Sequence, residues 1–109
     1  MSIMSTVFTG NGNIVVGTET IAPGKEWALE FIRIHLNIAG GANNLTATID
    51  SGVAAVYDTV ILTQDMTTLT DLYWSPERPM VLLATDELDF AWTNASARIY
   101  GLTVGWTLR

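Results

Sequence analysis

The chain has 109 residues, enough for one domain with its own core and too few for two. It contains no cysteine, which excludes disulfides, thiol nucleophiles and cysteine-based zinc sites. Five Lys and Arg stand against eleven Asp and Glu, and none of the five basic residues adjoins another, so nothing here forms the basic patch that nucleic acid or an anionic membrane requires.

Met1 to Asn13 is small and polar and ends in Gly10-Asn11-Gly12-Asn13. It reads as an arm, disordered when free, ahead of a domain spanning residues 14–109. It lacks the basic start and apolar run of a signal peptide, and no apolar stretch approaches the roughly 20 residues of a membrane span. The expectation is synthesis and folding in a cytoplasm, with no membrane partner. Asn44-Leu45-Thr46 and Asn94-Ala95-Ser96 then fit a glycosylation pattern only by coincidence.

Ile14 to Ile21 reads as the first strand of the domain. Ala22-Pro23-Gly24-Lys25 places Pro and Gly as a type II turn prefers. Glu26 to Ile38 is the longest strand. Ile32, Ile34, Leu36 and Ile38 share one face, and Arg33, His35 and Asn37 share the other. Trp27, Leu29 and Phe31 are apolar in the opposite phase, so the alternation flips near Glu30, which predicts a bulge or a strand whose two faces are both covered in part. After the turn cluster Gly40 to Asn44, Leu45 to Asp50 returns with Leu45, Ala47 and Ile49 inward, and the two segments read as a hairpin.

Ser51 to Ala55 is a loop and Val56 to Thr63 a strand. In Asp65 to Trp74 the alternation fails, and Leu69, Leu72 and Tyr73 fall at the spacing of a helical turn. Ser75-Pro76-Glu77-Arg78-Pro79 forces an irregular connection, followed by strands at Met80 to Ala84 and Leu88 to Trp92. Arg98 to Arg109 alternates without a break. Tyr100, Leu102, Val104, Trp106 and Leu108 point one way, with Ile99, Gly101, Thr103, Gly105 and Thr107 opposite. Seven or eight short strands without a long helix predict an all-β antiparallel sandwich of the jelly-roll type, with an immunoglobulin-like sandwich second. The expected core is Ile32, Ile34, Leu36, Leu45, Ile49, Phe90, Trp92, Leu102, Val104 and Trp106.

Catalytic chemistry finds little to work with. His35 is the one histidine, and no Gly-x-Ser-x-Gly elbow exists, so no catalytic residue is expected. Asp86, Glu87 and Asp89 are the densest acidic group but do not follow a calcium-loop pattern, and no metal or cofactor is expected. Trp74, in an irregular stretch, is the aromatic expected to be exposed. Charged residues are 15% of the chain, against about 25% in an average soluble protein. A small domain has much surface to cover, so part of this one is expected to face other subunits. Two glycines on the outer side of the last strand suggest close approach there. Arg33, His35, Gly101, Thr103 and Gly105 are therefore the candidate subunit interface.

The chain carries Gly17-Thr18-Glu19-Thr20-Ile21, a Pro-Gly turn, and Trp27-x-Leu-x-x-Ile-Arg-Ile-x-Leu36. It continues with Asn44-Leu45-Thr46, Ile49-Asp50, Tyr57-Asp58, Trp74-Ser75-Pro76, Asp89-Phe90-Ala91-Trp92-Thr93-Asn94 and Tyr100-Gly101-Leu102. In this order of parts, from Gly17 to Leu108, it resembles the small jelly-roll virion proteins of tailed bacteriophages, head decoration or cement proteins in particular. The resemblance implies a non-enzymatic homo-oligomer, a trimer, that braces the major capsid protein from the capsid exterior. The candidate docking residues are Ser5, Thr6, Val7, Phe8 and Thr9 of the arm, with Trp74. The net charge of −6 agrees with a position away from packaged nucleic acid. The alternative is a carbohydrate- or receptor-binding sandwich module of a phage particle.

Overall fold

The computed structural model describes residues 4–18 and 21–108 of the protein. Met1 to Ile3 of the expected arm, Glu19 and Thr20 of the expected first strand, and Arg109 lie outside the described residues. The described residues form nine strands: β1 (Met4–Gly10), β2 (Ile14–Gly17), β3 (Trp27–Leu36), β4 (Asn44–Asp50), β5 (Thr59–Asp65), β6 (Asp71–Trp74), β7 (Met80–Leu82), β8 (Glu87–Trp92) and β9 (Tyr100–Leu108). The one helical element among the described residues is a 3₁₀ turn at Ala55–Tyr57.

The strands divide into two antiparallel sheets. The larger has the order β1-β9-β3-β6, with β7 also pairing to β3, and the smaller has the order β2-β8-β4-β5. The chain crosses between the sheets after β1, β2 and β3 and again later, which is the double Greek-key winding of a jelly roll. One of its eight positions is split. β6 covers Ile32 to His35 of β3 and β7 covers Trp27 to Leu29 of the same strand. The intervening Ser75 to Pro79 holds two prolines, which cannot continue a ladder.

Alternation dictates which side of each strand is buried. Tyr100, Leu102 and Val104 of β9 meet Ile32, Ile34 and Leu36 of β3 and, from the other sheet, Ile14, Leu45, Ala47, Leu88, Phe90 and Trp92. Ile49 and Trp106 of the expected core are only partly buried against it. Trp106 lies near the end of the strand, where its ring stacks on Trp27 with centroids 3.8 Å apart and planes 5° from parallel. The expected bulge is present: Leu29 pairs with Trp106 and Phe31 with Gly105, which leaves Glu30 as the extra residue. Its effect is to keep Leu29 in the core while turning Phe31 outward. The type II turn is also present, with Gly24 at φ 80° and the Lys25 N–H donating to the Ala22 carbonyl at 3.1 Å.

Three expectations need correction. Residues 4–10 are not a free arm. β1 pairs with β9 along its whole length, because Phe8 alternates into the core side while Val7 faces out. Removing this segment would strip β9 of a neighbour and uncover its inner face. β3 and β4 are not a hairpin, since they lie in different sheets. The turn cluster between them is instead stapled to the 67–69 turn by Gly40 and Gly41 N–H groups donating to the Leu69 and Thr67 carbonyls. Finally, Leu72 and Tyr73 are in strand β6, not in a helical turn. Ladder pairing with β3 places Leu72 inward beside Ile34 and Tyr73 outward beside Arg33, and this overrides the local spacing.

Candidate functional site

The registers of β1, β9, β3 and β6 build rows of side chains across the outer face of the larger sheet. One row is Val7, Thr103, Arg33 and Tyr73. The next is Thr9, Gly101, His35 and Asp71. A third is Ser5, Gly105 and Phe31. All five candidate interface residues, Arg33, His35, Gly101, Thr103 and Gly105, thus fall on this one face. Ser5, Val7 and Thr9, expected to dock on a partner, fall there too.

The other three docking candidates are elsewhere. Thr6 and Phe8 pair with Val104 and Leu102 and so point to the inner side, and Phe8 packs on the core. Trp74 pairs with Ile32 and packs against the core as well, so it is not the exposed aromatic. Its neighbour Tyr73 is exposed instead, at 65%, as is Tyr57 at 63%. The error is one of phase: a one-residue shift in a strand swaps inside for outside.

The two glycines differ. A Cβ on Gly105 would collide with the ring of Phe31, which occupies the space over the glycine. The close approach expected there is made by the protein's own side chain. The Phe31 ring then stacks on Tyr73, with centroids 5.5 Å apart and planes 17° from parallel. Gly101, by contrast, has open space above it. The face therefore combines an aromatic pair, a bare glycine between Thr9 and His35, and exposed Val7 and Arg33. His35 Nδ1 meets Asp71 Oδ1 at 2.6 Å, both side chains being about two-thirds exposed. This hydrogen bond from His35 lowers the pKa of Asp71 and fixes the orientation of the imidazole. A histidine oriented by a carboxylate is a component of acid–base catalysis. Here, at the register position beside Gly101, the pair lies on an exposed sheet face.

The outer face of the smaller sheet carries different chemistry. Asp50 of β4 pairs with Glu87 of β8, and Asp89 lies two residues on, opposite Thr48 and Gly17. The carboxylates of Asp50, Glu87 and Asp89 come within 4.8 Å of one another. Sequence proximity suggested Asp86 as a member of this group. It belongs instead to a turn, where its carboxylate accepts the N–H groups of Gly52 (3.2 Å) and Leu83 (3.1 Å). Asp50 takes its place through strand pairing, which sequence spacing does not display. Like charges so close favour a shared proton or a cation between them. The Asp89 carboxyl is pushed up to about 7, first by burial, then by hydrogen bonding to Glu87 and by the Glu87 and Asp50 charges.

This has a measurable consequence. In the unfolded chain Asp89 has the ordinary aspartate value of 3.8. Between there and about 7 the folded protein holds a proton that the unfolded chain has lost. The contribution of Asp89 to stability is thus complete below the unfolded value and disappears as pH rises through the folded one. Asp65 and Asp71 act in the opposite sense. Their hydrogen bonds from Thr67 and His35 lower their pKa values, and their contributions fade only under acid, below the ordinary carboxylate range. The midpoint of thermal unfolding should therefore be higher at pH 5 than at pH 8. Asp89→Asn should raise the pH 8 value and flatten the dependence. A wild-type midpoint that climbs from pH 5 to pH 8 would contradict this account.

An apolar depression of about 360 Å³ lies at one end of the sandwich, between the 51–58 loop and the 83–86 turn, lined by Ile49, Val53, Tyr57 and Leu83 among others. No protein-family profile matches the chain, and neither the curated proteins nor the solved structures include a match.

Proposed function

We propose that this is a non-enzymatic structural protein of a tailed-phage particle that docks on the capsid exterior and stabilises the shell. The observation that carries the reading is the row arrangement on the larger sheet. Arg33, His35, Gly101, Thr103 and Gly105, with Ser5, Val7 and Thr9 of the six docking candidates, share one face that also presents Tyr73 and Phe31. Aromatic and Arg side chains are the usual energetic centre of a protein interface. The partner class, the major capsid protein, comes from the resemblance to head decoration proteins. A protein that binds the assembled shell and not free subunits stabilises the shell by mass action, without catalytic groups. The acidic balance suits an exterior site.

Docking is tested by co-sedimentation with capsids assembled from the capsid protein of the same phage. The Arg33→Ala, Tyr73→Ala double variant should keep the wild-type circular dichroism spectrum. Its capsid affinity should fall by about tenfold or more, as expected when two exposed anchors are truncated. Unchanged affinity would remove this face from the docking surface. The exposed Tyr73 stacked on Phe31 also favours one second reading, a carbohydrate-binding platform. Binding to a glycan array, lost in Tyr73→Ala, with no binding to capsids, would replace the first reading with the second.

A further inference from the structure

We propose that β1 pairs edge to edge with β1 of a second copy of this chain, antiparallel and about a two-fold axis at Val7, so that two larger sheets become one continuous sheet. This replaces the trimer that the resemblance implies with a dimer, and it does not depend on the capsid reading.

The first observation is the edge itself. β1 stands at the end of its sheet, with β9 on one side, and five of its seven residues are exposed. In an antiparallel ladder, alternate residues of an edge strand aim their N–H and C=O groups away from the sheet. Such a row is a template for another strand, and proteins usually blunt it with Lys, Pro, a bulge or a very short strand. Met4–Gly10 has none of these: it is Met-Ser-Thr-Val-Phe-Thr-Gly, in unbroken register with β9.

The second observation is charge. At a net charge of −6, two copies repel unless they approach where carboxylates are absent. The other edges carry them, except β7, which is only three residues long. β5 follows Asp58 and ends at Asp65, and β6 starts at Asp71. β2 is four residues long and its Gly17 pairs with Asp89, beside Glu87. β1 has no ionisable side chain and is the long edge on which two copies meet without opposing charges.

The third is self-complementarity. A two-fold axis perpendicular to a sheet keeps each face on its own side, so one residue must lie opposite itself. Centring on Val7 pairs all seven residues: Met4 with Gly10, Ser5 with Thr9, Thr6 with Phe8, and Val7 with Val7 of the second copy. Any other centre leaves some of these seven residues unpaired. Val, Thr and Phe are the residue types that gain most from cross-strand neighbours. The pairing also brings Phe8 of one copy against Thr6 of the other on the inner side, extending each core. On the outer side it makes the rows of Val7, Thr103, Arg33 and Tyr73 continuous across two copies.

The absence of cysteine makes the test clean. Directly opposed residues in an antiparallel ladder have Cα atoms about 4.5–5.5 Å apart, within disulfide range. Val7→Cys should form a covalent dimer under mild oxidation at least about tenfold faster than Val60→Cys on β5, which is similarly exposed. Ser5→Cys mixed with Thr9→Cys should give the mixed dimer, with neither variant cross-linking efficiently alone; this pair also covers the case in which Val7→Cys misfolds. By sedimentation, the wild type should be a dimer at micromolar concentration and Val7→Lys a monomer with the same circular dichroism spectrum. A wild-type monomer or trimer, or equal cross-linking rates at positions 7 and 60, would overturn the proposal.

Discussion

Asn94→Ala is expected to lower the free energy of unfolding by about 3 kcal/mol, the loss due when several buried polar groups are left without partners. Asn94 is 5% exposed and joins three chain segments. Its Nδ2 donates to the carbonyls of Arg98 (2.8 Å), Gly12 (3.1 Å) and Asn11 (3.3 Å), and its Oδ1 accepts the Arg98 N–H at 2.9 Å. Its backbone N–H donates to Asn13 Oδ1 at 2.9 Å. The turn after β1 is thereby fixed to the turn before β9, and β1 is held in place at its C-terminal end. Asn94→Asp puts a buried carboxylate oxygen against the three carbonyls that Nδ2 now serves, so in urea denaturation it should cost at least as much as Asn94→Ala. Equal stability of Asn94→Ala and wild type would mean that water replaces the side chain at no cost. The same geometry explains why the Asn94-Ala95-Ser96 pattern cannot take a glycan in the folded protein: its amide nitrogen is already engaged.

Gly105→Val is expected to destabilise the protein by about 2–3 kcal/mol, the range for forcing extra methyl groups into a filled space. The reason is the Phe31 ring over the glycine; backbone conformation does not enter, since Gly105 is not among the positive-φ residues. The origin can be separated by a double-mutant cycle. Phe31→Ala removes the obstructing ring, so Gly105→Val should cost much less in that background than in the wild type. Thermal unfolding of the four proteins checks this. Additive losses would mean that the ring moves aside freely and that the glycine serves another purpose. Gly101→Val, over open space, should be tolerated by the fold, and its effect should appear only when the outer face is engaged.

The fold and the candidate site were legible to different degrees, for reasons visible in particular residues. In β9 and in the second half of β3, strict alternation leaves one arrangement with a dry inner face, so Ile32, Ile34, Leu36, Leu102 and Val104 could be placed by period alone. The flip at Glu30 marked the bulge because a single extra residue is the least disruptive way to keep both Leu29 and Ile32 inside. The same alternation put Arg33, His35, Gly101, Thr103 and Gly105 on outer sides. It did not say that those outer sides are neighbours.

Composition and periodicity, then, determined the class: a cysteine-free all-β sandwich with alternating strands and a Pro-Gly turn. Tertiary structure alone decided which strands are adjacent. That choice made Met4–Gly10 an edge strand and not an arm, sent β3 and β4 to different sheets, and turned Tyr73 outward in place of Trp74. It also replaced Asp86 with Asp50 in the acidic group. The physical reason is that period two is a local property, fixed by backbone geometry within each strand. Pairing partners are selected by the burial of the whole core, through contacts between residues as distant as Thr6 and Val104 or Asp50 and Glu87.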